Sequence, residues 1–213
     1  MNFLSCAMPL SCCRLRWGLF LLSGVTIHAA ASSTAEVIPE HSRIYQGYPV
    51  SIRQHPYQAA LLSMPYNADN VYWDQFCGGV ILDQHWILTA AHCVRGETPE
   101  GLAVLVGATR LTRPEEGQIL GVEEILIHPD YNRSTMDNDF ALLKLKGSIA
   151  LDSGISARPI PLPTPADLAN GLENAGQRAF VTGWGQVNRV LNTPITNMPV
   201  HLQGVELEIT RRS

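Results

Sequence analysis

The stretch Cys77-Gly78-Gly79-Val80-Ile81-Leu82-Asp83-Gln84-His85-Trp86-Ile87-Leu88-Thr89-Ala90-Ala91-His92-Cys93 is the most informative part of the sequence. It places an apolar strand, 86–89, directly before small residues and a single histidine. A bond from Cys93 back to Cys77 would fix the backbone beside the imidazole. Because general-base catalysis depends on hydrogen-bond geometry, His92 is a candidate catalytic base. A lone histidine is more often structural or exposed, so this interpretation needs a partner residue.

Short apolar or alternating runs, separated by Gly, Pro, Asn and Asp, predict further strands around this stretch. Together with 86–89 the predicted strands are 57–62, 79–82, 102–106, 119–127 and 140–145. This spacing is typical of a closed antiparallel barrel or a sandwich, and so of an all-β fold. A proline-rich stretch, 158–165, predicts an extended linker. Two more strands follow at 178–182 and 205–209, and the second is predicted to be an unclosed edge strand.

Composition narrows the class of protein. The 213 residues are 46% hydrophobic and 16% charged, which excludes disorder over most of the chain. The net charge is −4 and no basic block is present, so neither a nucleic-acid partner nor an anionic membrane surface is expected. Seventeen glycines and fourteen prolines favour many short strands over long helices.

The first 31 residues have the pattern of a secretory signal peptide. Arg14 and Arg16 precede an apolar run, 17–27, which is followed by the small residues 29–31. The run is too short to span a bilayer as a helix, which needs about twenty residues. An N-terminal core helix is the alternative. The signal predicts a secreted protein, or a periplasmic one in a bacterium, without membrane association once the signal is removed.

Export decides how the cysteines are interpreted. Cys6, Cys12 and Cys13 would be lost with the signal, which leaves Cys77 and Cys93 to form one disulfide in an oxidising compartment. Two cysteines cannot make a four-ligand zinc site. We therefore expect neither a metal nor a cofactor at this place.

Four glutamates raise the alternative of a calcium site. They are Glu115, Glu116, Glu123 and Glu124, and they lack the ligand spacing of a recognised calcium loop. Solvated acids are the favoured interpretation.

The stretch from Cys77 to Cys93 resembles the active-site histidine motif of chymotrypsin-like (trypsin-family) serine endopeptidases. Asp137-Asn138-Asp139-Phe140-Ala141-Leu142-Leu143-Lys144-Leu145 is similar to the aspartate motif of that family, with Asp139 at the matching position. A carboxylate entering a buried strand needs a partner, and the Nδ1–H of His92 is the natural one. Three shorter segments also resemble motifs of this family and occur in the same order along the chain. They are His55-Pro56-Tyr57-Gln58-Ala59-Ala60-Leu61, His128-Pro129-Asp130-Tyr131 and Gly183-Trp184-Gly185.

The resemblance implies a chymotrypsin-like double antiparallel β-barrel. Residues 44–157 would form a complete first barrel, and residues 158–213 the linker and the start of an incomplete second one. It also implies hydrolysis of peptide bonds in protein or peptide substrates, with Asp139 orienting His92 and His92 taking a proton from a serine hydroxyl. Oligomeric state is not predicted.

Activation in this family follows cleavage before an Ile-Val-Gly-Gly terminus. The matching bond here joins Arg43 to Ile44, which makes 32–43 a short propeptide. Ile44 and Gly47 agree with the family pattern, whereas Tyr45 and Gln46 depart from it.

The family's Gly-Asp-Ser-Gly-Gly motif, which carries the nucleophilic serine, is not found in the sequence. The tripeptide Asp152-Ser153-Gly154 lacks the flanking glycines and belongs to the first half of the chain. We therefore expect a C-terminally truncated, inactive form of a secreted endopeptidase. The alternative is a non-catalytic homologue that acts as a secreted binding protein. Separately, Asn132-Arg133-Ser134 is an N-glycosylation sequon, which has meaning in a eukaryotic source.

Overall fold

The computed structural model describes residues 47–151, 153–185 and 198–210. The predicted signal (1–31), the propeptide (32–43) and the predicted cleavage site at Arg43 and Ile44 lie outside the described residues, as does Asp152. The strands are β1 (Tyr48–Pro49), β2 (Gln58–Ser63), β3 (Gln75–Ile81), β4 (Trp86–Thr89), β5 (Leu102–Val106), β6 (Gln118–Ile127), β7 (Ala141–Leu145), β8 (Arg178–Gly183) and β9 (Gln203–Glu208). The helices are α1 (Ala91–Val94) and α2 (Pro165–Ala169), with short 3₁₀ turns at Pro99–Gly101 and Pro114–Glu116.

Strands β2 to β7 close into a six-stranded antiparallel barrel in the order β2-β3-β4-β7-β6-β5. This confirms the predicted all-β class and decides for a barrel over a sandwich. Along β7, every second side chain faces the barrel interior, so Ala141, Leu143 and Leu145 are buried. Ile87 of β4 is buried in the same cluster. Closure leaves the barrel without an unpaired edge.

Glycine at position 79 allows β3 and β4 to approach closely. A Cβ atom on Gly79 would lie 2.8 Å from Cγ2 of Ile87 and 2.9 Å from the carbonyl oxygen of Leu88. Strand β3 also begins four residues earlier than predicted, because β2 pairs with it as far as Leu62 opposite Gln75. Pairing with a neighbouring strand here outweighs the weak strand propensity of the two glycines.

A second, three-stranded sheet has the order β1-β9-β8. The prediction that the last strand is an unclosed edge is wrong, because β9 pairs with β1 on one side and β8 on the other. Among the described residues the sheet edges are β1 and β8, and this second part is an incomplete barrel.

The side chains of Trp184 and Thr182 help to join the second sheet to the barrel. Trp184, directly after β8, is buried in a cluster with Leu62 and Leu105 of the barrel, and its Nε1 donates to the carbonyl oxygen of Thr109 at 3.2 Å. The Thr182 hydroxyl donates to Oε1 of Gln58, a buried polar residue of β2. Such satisfied buried contacts fix the second sheet against the first barrel.

The proline-rich stretch is irregular up to Thr164 and then forms helix α2, which the sequence prediction missed. Thr164 and Asp167 form a reciprocal capping box, with Asp167 N donating to the Thr164 hydroxyl and Thr164 N donating to the Asp167 carboxylate. Proline at the first helical position suits this start. In the described ranges, no helix is both long and apolar enough to cross a bilayer.

Candidate active site

The pairing of β4 with β7 brings the two candidate residues together. Thr89, the last residue of β4, lies opposite Ala141, the first residue of β7. Because the strands are antiparallel, the chain leaving β4 and the chain entering β7 meet at one end of the barrel. His92 follows Thr89 on α1, and Asp139 lies two residues before the start of β7. The fold thus joins two residues that are 47 positions apart.

Asp139 binds His92 through both carboxylate oxygens. Its Oδ1 accepts a hydrogen bond from the backbone N–H of His92 at 2.8 Å. Its Oδ2 lies 2.6 Å from Nδ1 of the ring. The Asp139 side chain is 20% exposed and the His92 side chain 45%, so the acid is covered while the imidazole remains open to solvent.

The charge on Asp139 determines which ring nitrogen carries the proton. Burial acts to raise the pKa of the Asp139 carboxyl, but hydrogen bonds from the ring and the backbone of His92, the charge of that ring and a backbone hydrogen bond from Ala91 outweigh it, so the pKa lies below its usual value. A carboxylate that stays ionised can only accept hydrogen bonds. The proton of a neutral imidazole therefore lies on Nδ1, which leaves a lone pair on Nε2.

A disulfide joins β3 to α1 beside the imidazole. It links Cys77 to Cys93 across a sequence separation of 16 residues. The Nε2 atom of His92 lies 3.5 Å from Sγ of Cys93. The disulfide therefore anchors the turn that carries His92 to the barrel wall.

The same three residues do not make a metal site. Potential ligand atoms of Cys77, His92 and Cys93 lie within 4.8 Å of one another. A cysteine binds metal as its thiolate, however, and both sulfur atoms are joined in the disulfide. Only the imidazole could then donate to a metal ion.

The four glutamates considered for calcium are separated into different environments. Glu116 binds Arg110 at 2.7 Å, and Glu123 binds Lys144 at 3.0 Å. Glu115 and Glu124 are exposed. Two of these acids thus face lysine or arginine rather than one another.

His92 borders two clefts. One, of about 240 Å³, is lined by Cys77 and Gly78 of the barrel and by residues 181–185 and Met198 from the second sheet and its flanks. The other, of about 310 Å³, is lined by Arg95 of α1's flank and by Tyr131, Arg133 and Met136. The 131–136 loop was not predicted to be a neighbour of His92, although its position just before Asp139 was the available signal.

Ser153 has a different environment. Its hydroxyl donates to the carbonyl oxygen of Ala150 at 2.7 Å. The next residue, Gly154, lines a cavity with Arg53 and Arg110 rather than either cleft that contains His92. This placement agrees with the dismissal of the tripeptide at 152–154 as a nucleophile motif.

Comparison with known proteins decides the family. The model of the family described as Trypsin matches residues 44–213, which include the barrel, His92 and Asp139. The chain belongs to the trypsin family of serine proteases.

Individual relatives in this family come from several mammals. Serine protease 57 of Rattus norvegicus is 33% identical over 175 residues, which are 81% of this chain and 58% of the relative. Vitamin K-dependent protein C of Oryctolagus cuniculus is 46% identical over 110 residues, which are 51% of this chain and 23% of the relative. Serine protease 1 of Canis lupus familiaris is 31% identical over 160 residues, 75% of this chain and 56% of the relative. The matched part of this trypsin-family chain thus spans less than two thirds of each relative's length.

Proposed function

We propose that this chain is part of a secreted trypsin-like serine endopeptidase in which His92 is the general base and Asp139 orients it. The observation that carries the proposal is the two-point contact of the Asp139 carboxylate with the backbone and the ring of His92. A general base must hold its lone pair in one direction, and this contact fixes both the tautomer and the ring plane.

The proposed reaction is hydrolysis of a peptide bond in a protein or peptide substrate. His92 Nε2 takes the proton of a serine hydroxyl as the oxygen attacks the carbonyl carbon, and later gives the proton to the leaving amine. Asp139 remains ionised and stabilises the imidazolium that forms between these steps. The family's nucleophile motif is not among the 213 residues, so in the proposed enzyme the serine and the oxyanion donors come from sequence beyond them.

The cleft of about 240 Å³ beside His92 is the proposed place of the scissile segment. It is formed between the barrel, through Phe76 and Gly78, and the second sheet, through Thr182 and Gly183. A substrate lying there would contact both parts of the fold and meet the imidazole at one wall. No metal, cofactor or nucleic acid has a role in this proposal.

Processing completes the proposal. Residues 1–31 are the signal, residues 32–43 the propeptide, and cleavage takes place between Arg43 and Ile44. The match of the trypsin-family model from residue 44 onward supports this division. The Cys77–Cys93 disulfide supports an oxidising compartment, because such bonds persist chiefly outside the cytosol.

The natural product provides the test. An antibody against residues 44–151 would capture it from secretions of the source, and a fluorophosphonate would be added. This reagent bonds covalently to the serine oxygen of an active serine hydrolase and releases fluoride. We expect a labelled species that begins at Ile44 and contains a Gly-Asp-Ser-Gly-Gly peptide, together with hydrolysis of peptide substrates.

The second candidate function is a non-catalytic homologue that binds partners. The sequence favours it in one respect, since it contains His92 and Asp139 without the family's serine motif. A captured product that ends at Ser213 and takes up no fluorophosphonate would support this candidate and reject the endopeptidase.

A further inference from the structure

One triplet in the sequence has the form Asn-x-Ser/Thr, and it lies beside the candidate active site. Asn132-Arg133-Ser134 occupies the loop between β6 and β7, and all three residues are exposed. A sequon is used only where its asparagine is on an accessible loop of an exported chain. The structure places Asn132 on an accessible loop.

Hydrogen bonds within the loop hold the exposed Asn132 in place. Oδ1 of Asn132 accepts hydrogen bonds from the backbone N–H groups of Ser134 at 2.9 Å and Thr135 at 3.4 Å. The backbone N–H of Asn132 donates to the carbonyl oxygen of Asp137 at 3.0 Å, which closes the base of the loop. These bonds hold Asn132 through Oδ1 and its backbone, whereas an N-linked sugar is attached at Nδ2.

The neighbours of Asn132 in the loop line a cleft beside His92. Tyr131, Arg133 and Met136 line the cleft of about 310 Å³ that also contains His92. A large substituent on Asn132 would therefore lie at the rim of the site rather than on a remote surface.

We propose that Asn132 is N-glycosylated during export from a eukaryotic cell and that the oligosaccharide shields the 131–136 loop beside His92. The inference rests on the secretion part of the proposed function. Nδ2 of Asn132 attacks C1 of the N-acetylglucosamine of a lipid-linked pyrophosphate oligosaccharide. The N–C1 bond forms, the C1–O bond to phosphate breaks, the pyrophosphate leaves with the electron pair, and Nδ2 loses one proton.

Shielding matters because of Arg133. This exposed arginine follows the sequon asparagine, and cleavage after it would cut the chain between β6 and Asp139. A protease that cleaves after arginine, including a second copy of a trypsin-like enzyme, would find an accessible bond in an unglycosylated loop. An oligosaccharide on the adjacent residue blocks the approach of such a protease.

The first experiment measures glycosylation itself. The 213-residue chain is produced in mammalian secretory cells, and both lysate and medium are treated with peptide N-glycosidase F. We expect a gain in electrophoretic mobility on treatment and conversion of Asn132 to aspartate in the peptide map. Asn132→Gln and Ser134→Ala should lose the shift, and Ser134→Thr should keep it. A chain that enters the lumen without any shift would overturn the inference, even if it is retained in the cell.

A second arm separates this inference from the secretion proposal. In it, residues 1–31 are replaced by a signal of proven function. Glycosylation of this chimera combined with failure of the native leader to export would reject the secretion proposal and leave the inference intact. Export of both chains with glycosylation of neither would reject the inference and leave the secretion proposal intact.

Shielding is measured by limited digestion with trypsin. We expect the Arg133–Ser134 bond to be cut several-fold faster in Asn132→Gln than in the glycosylated protein, with Ser134→Thr matching the latter. Equal rates in glycosylated and unglycosylated chains would reject the shielding role.

Discussion

The carboxylate of Asp139 binds two different groups of His92, the backbone N–H at 2.8 Å and the ring Nδ1 at 2.6 Å. The first bond positions the main chain of α1, and the second positions the ring that this main chain carries. Orientation of the imidazole therefore depends on one side chain, which comes from the segment that leads into β7.

The first prediction concerns the tautomer of His92. Asp139→Asn places an amide where an ionised acceptor stood, so Nδ1 loses its obligatory acceptor and the ring proton can move to Nε2. Nitrogen NMR shifts of the ring should report a change from the Nδ1–H to the Nε2–H form. In the proposed endopeptidase, Asp139→Asn should lower kcat about ten-thousand-fold, which is the cost of the matching change in this family.

Asp130→Asn is the matched control for this variant. Asp130 is an exposed acid of the same loop, and its described hydrogen bonds are made by its backbone atoms. The ring of His92 should keep its Nδ1–H form in this variant. An equal change in both variants would mean that general loss of charge, not the direct contact, sets the tautomer.

The second prediction concerns stability at low pH. Because the folded-state pKa of Asp139 is depressed, the unfolded chain binds a proton more readily. The contribution of this carboxylate is complete above the ordinary carboxyl pKa of about 4, and it is lost as pH falls through the lower folded value. The difference in unfolding free energy between the wild type and Asp139→Asn should therefore shrink below about pH 4. Denaturant titrations across this range measure it, and a constant difference would contradict the assignment.

The third prediction concerns the disulfide. Removing it by Cys77→Ala with Cys93→Ala frees a loop of 16 residues in the unfolded chain, which should cost about 3 kcal/mol in unfolding free energy. Denaturant unfolding of the double variant measures the loss. The reduced wild-type protein should unfold at nearly the same midpoint as the double variant. A midpoint unchanged from that of the oxidised wild type would show that the bond does not stabilise the barrel.

The fourth prediction concerns the glycine of β3. Gly79→Ala would place a methyl group against Ile87 and the backbone of Leu88, so it should destabilise the barrel by about 1–3 kcal/mol. Gly121→Ala is the control, since the nearest atom to its Cβ would be Cδ of the flexible Lys146 side chain, at 3.3 Å. Its effect should stay within about 0.5 kcal/mol. Thermal or denaturant unfolding compares the two, and equal losses would contradict the argument from close strand approach.

Sequence patterns predicted the barrel well where neighbouring strands are strongly apolar. Strands β4 and β5 have the predicted limits, and β7 begins one residue later than predicted. The patterns failed where the stabilising partner is distant in sequence. Tyr48–Pro49 forms a strand only because β9 pairs with it, and that pairing leaves no local trace. Helix α2 is the opposite case, since Thr164, Pro165 and Asp167 carried a capping signal that the proline-rich composition obscured.

The contact between His92 and Asp139 was predictable as a chemical need, because a carboxylate at the start of a buried strand requires a donor. Its second hydrogen bond, to the backbone of His92, was not predictable. It depends on the register of β4 against β7, and therefore on the closure of the whole barrel. The same reason explains why the 131–136 loop was not recognised as a neighbour of the site.

The β4–β7 pairing also determines when His92 and Asp139 meet during biosynthesis. Every residue that forms the pair, together with all six barrel strands, lies between Gln58 and Leu145. Chains emerge from the ribosome N-terminus first, and folding units assemble as they are completed. The His–Asp contact can therefore form while later sequence is still being translated. The proposed base and the acid that orients it can thus be in place before β8 and β9, the strands of the second sheet that follow residue 145, have been synthesised.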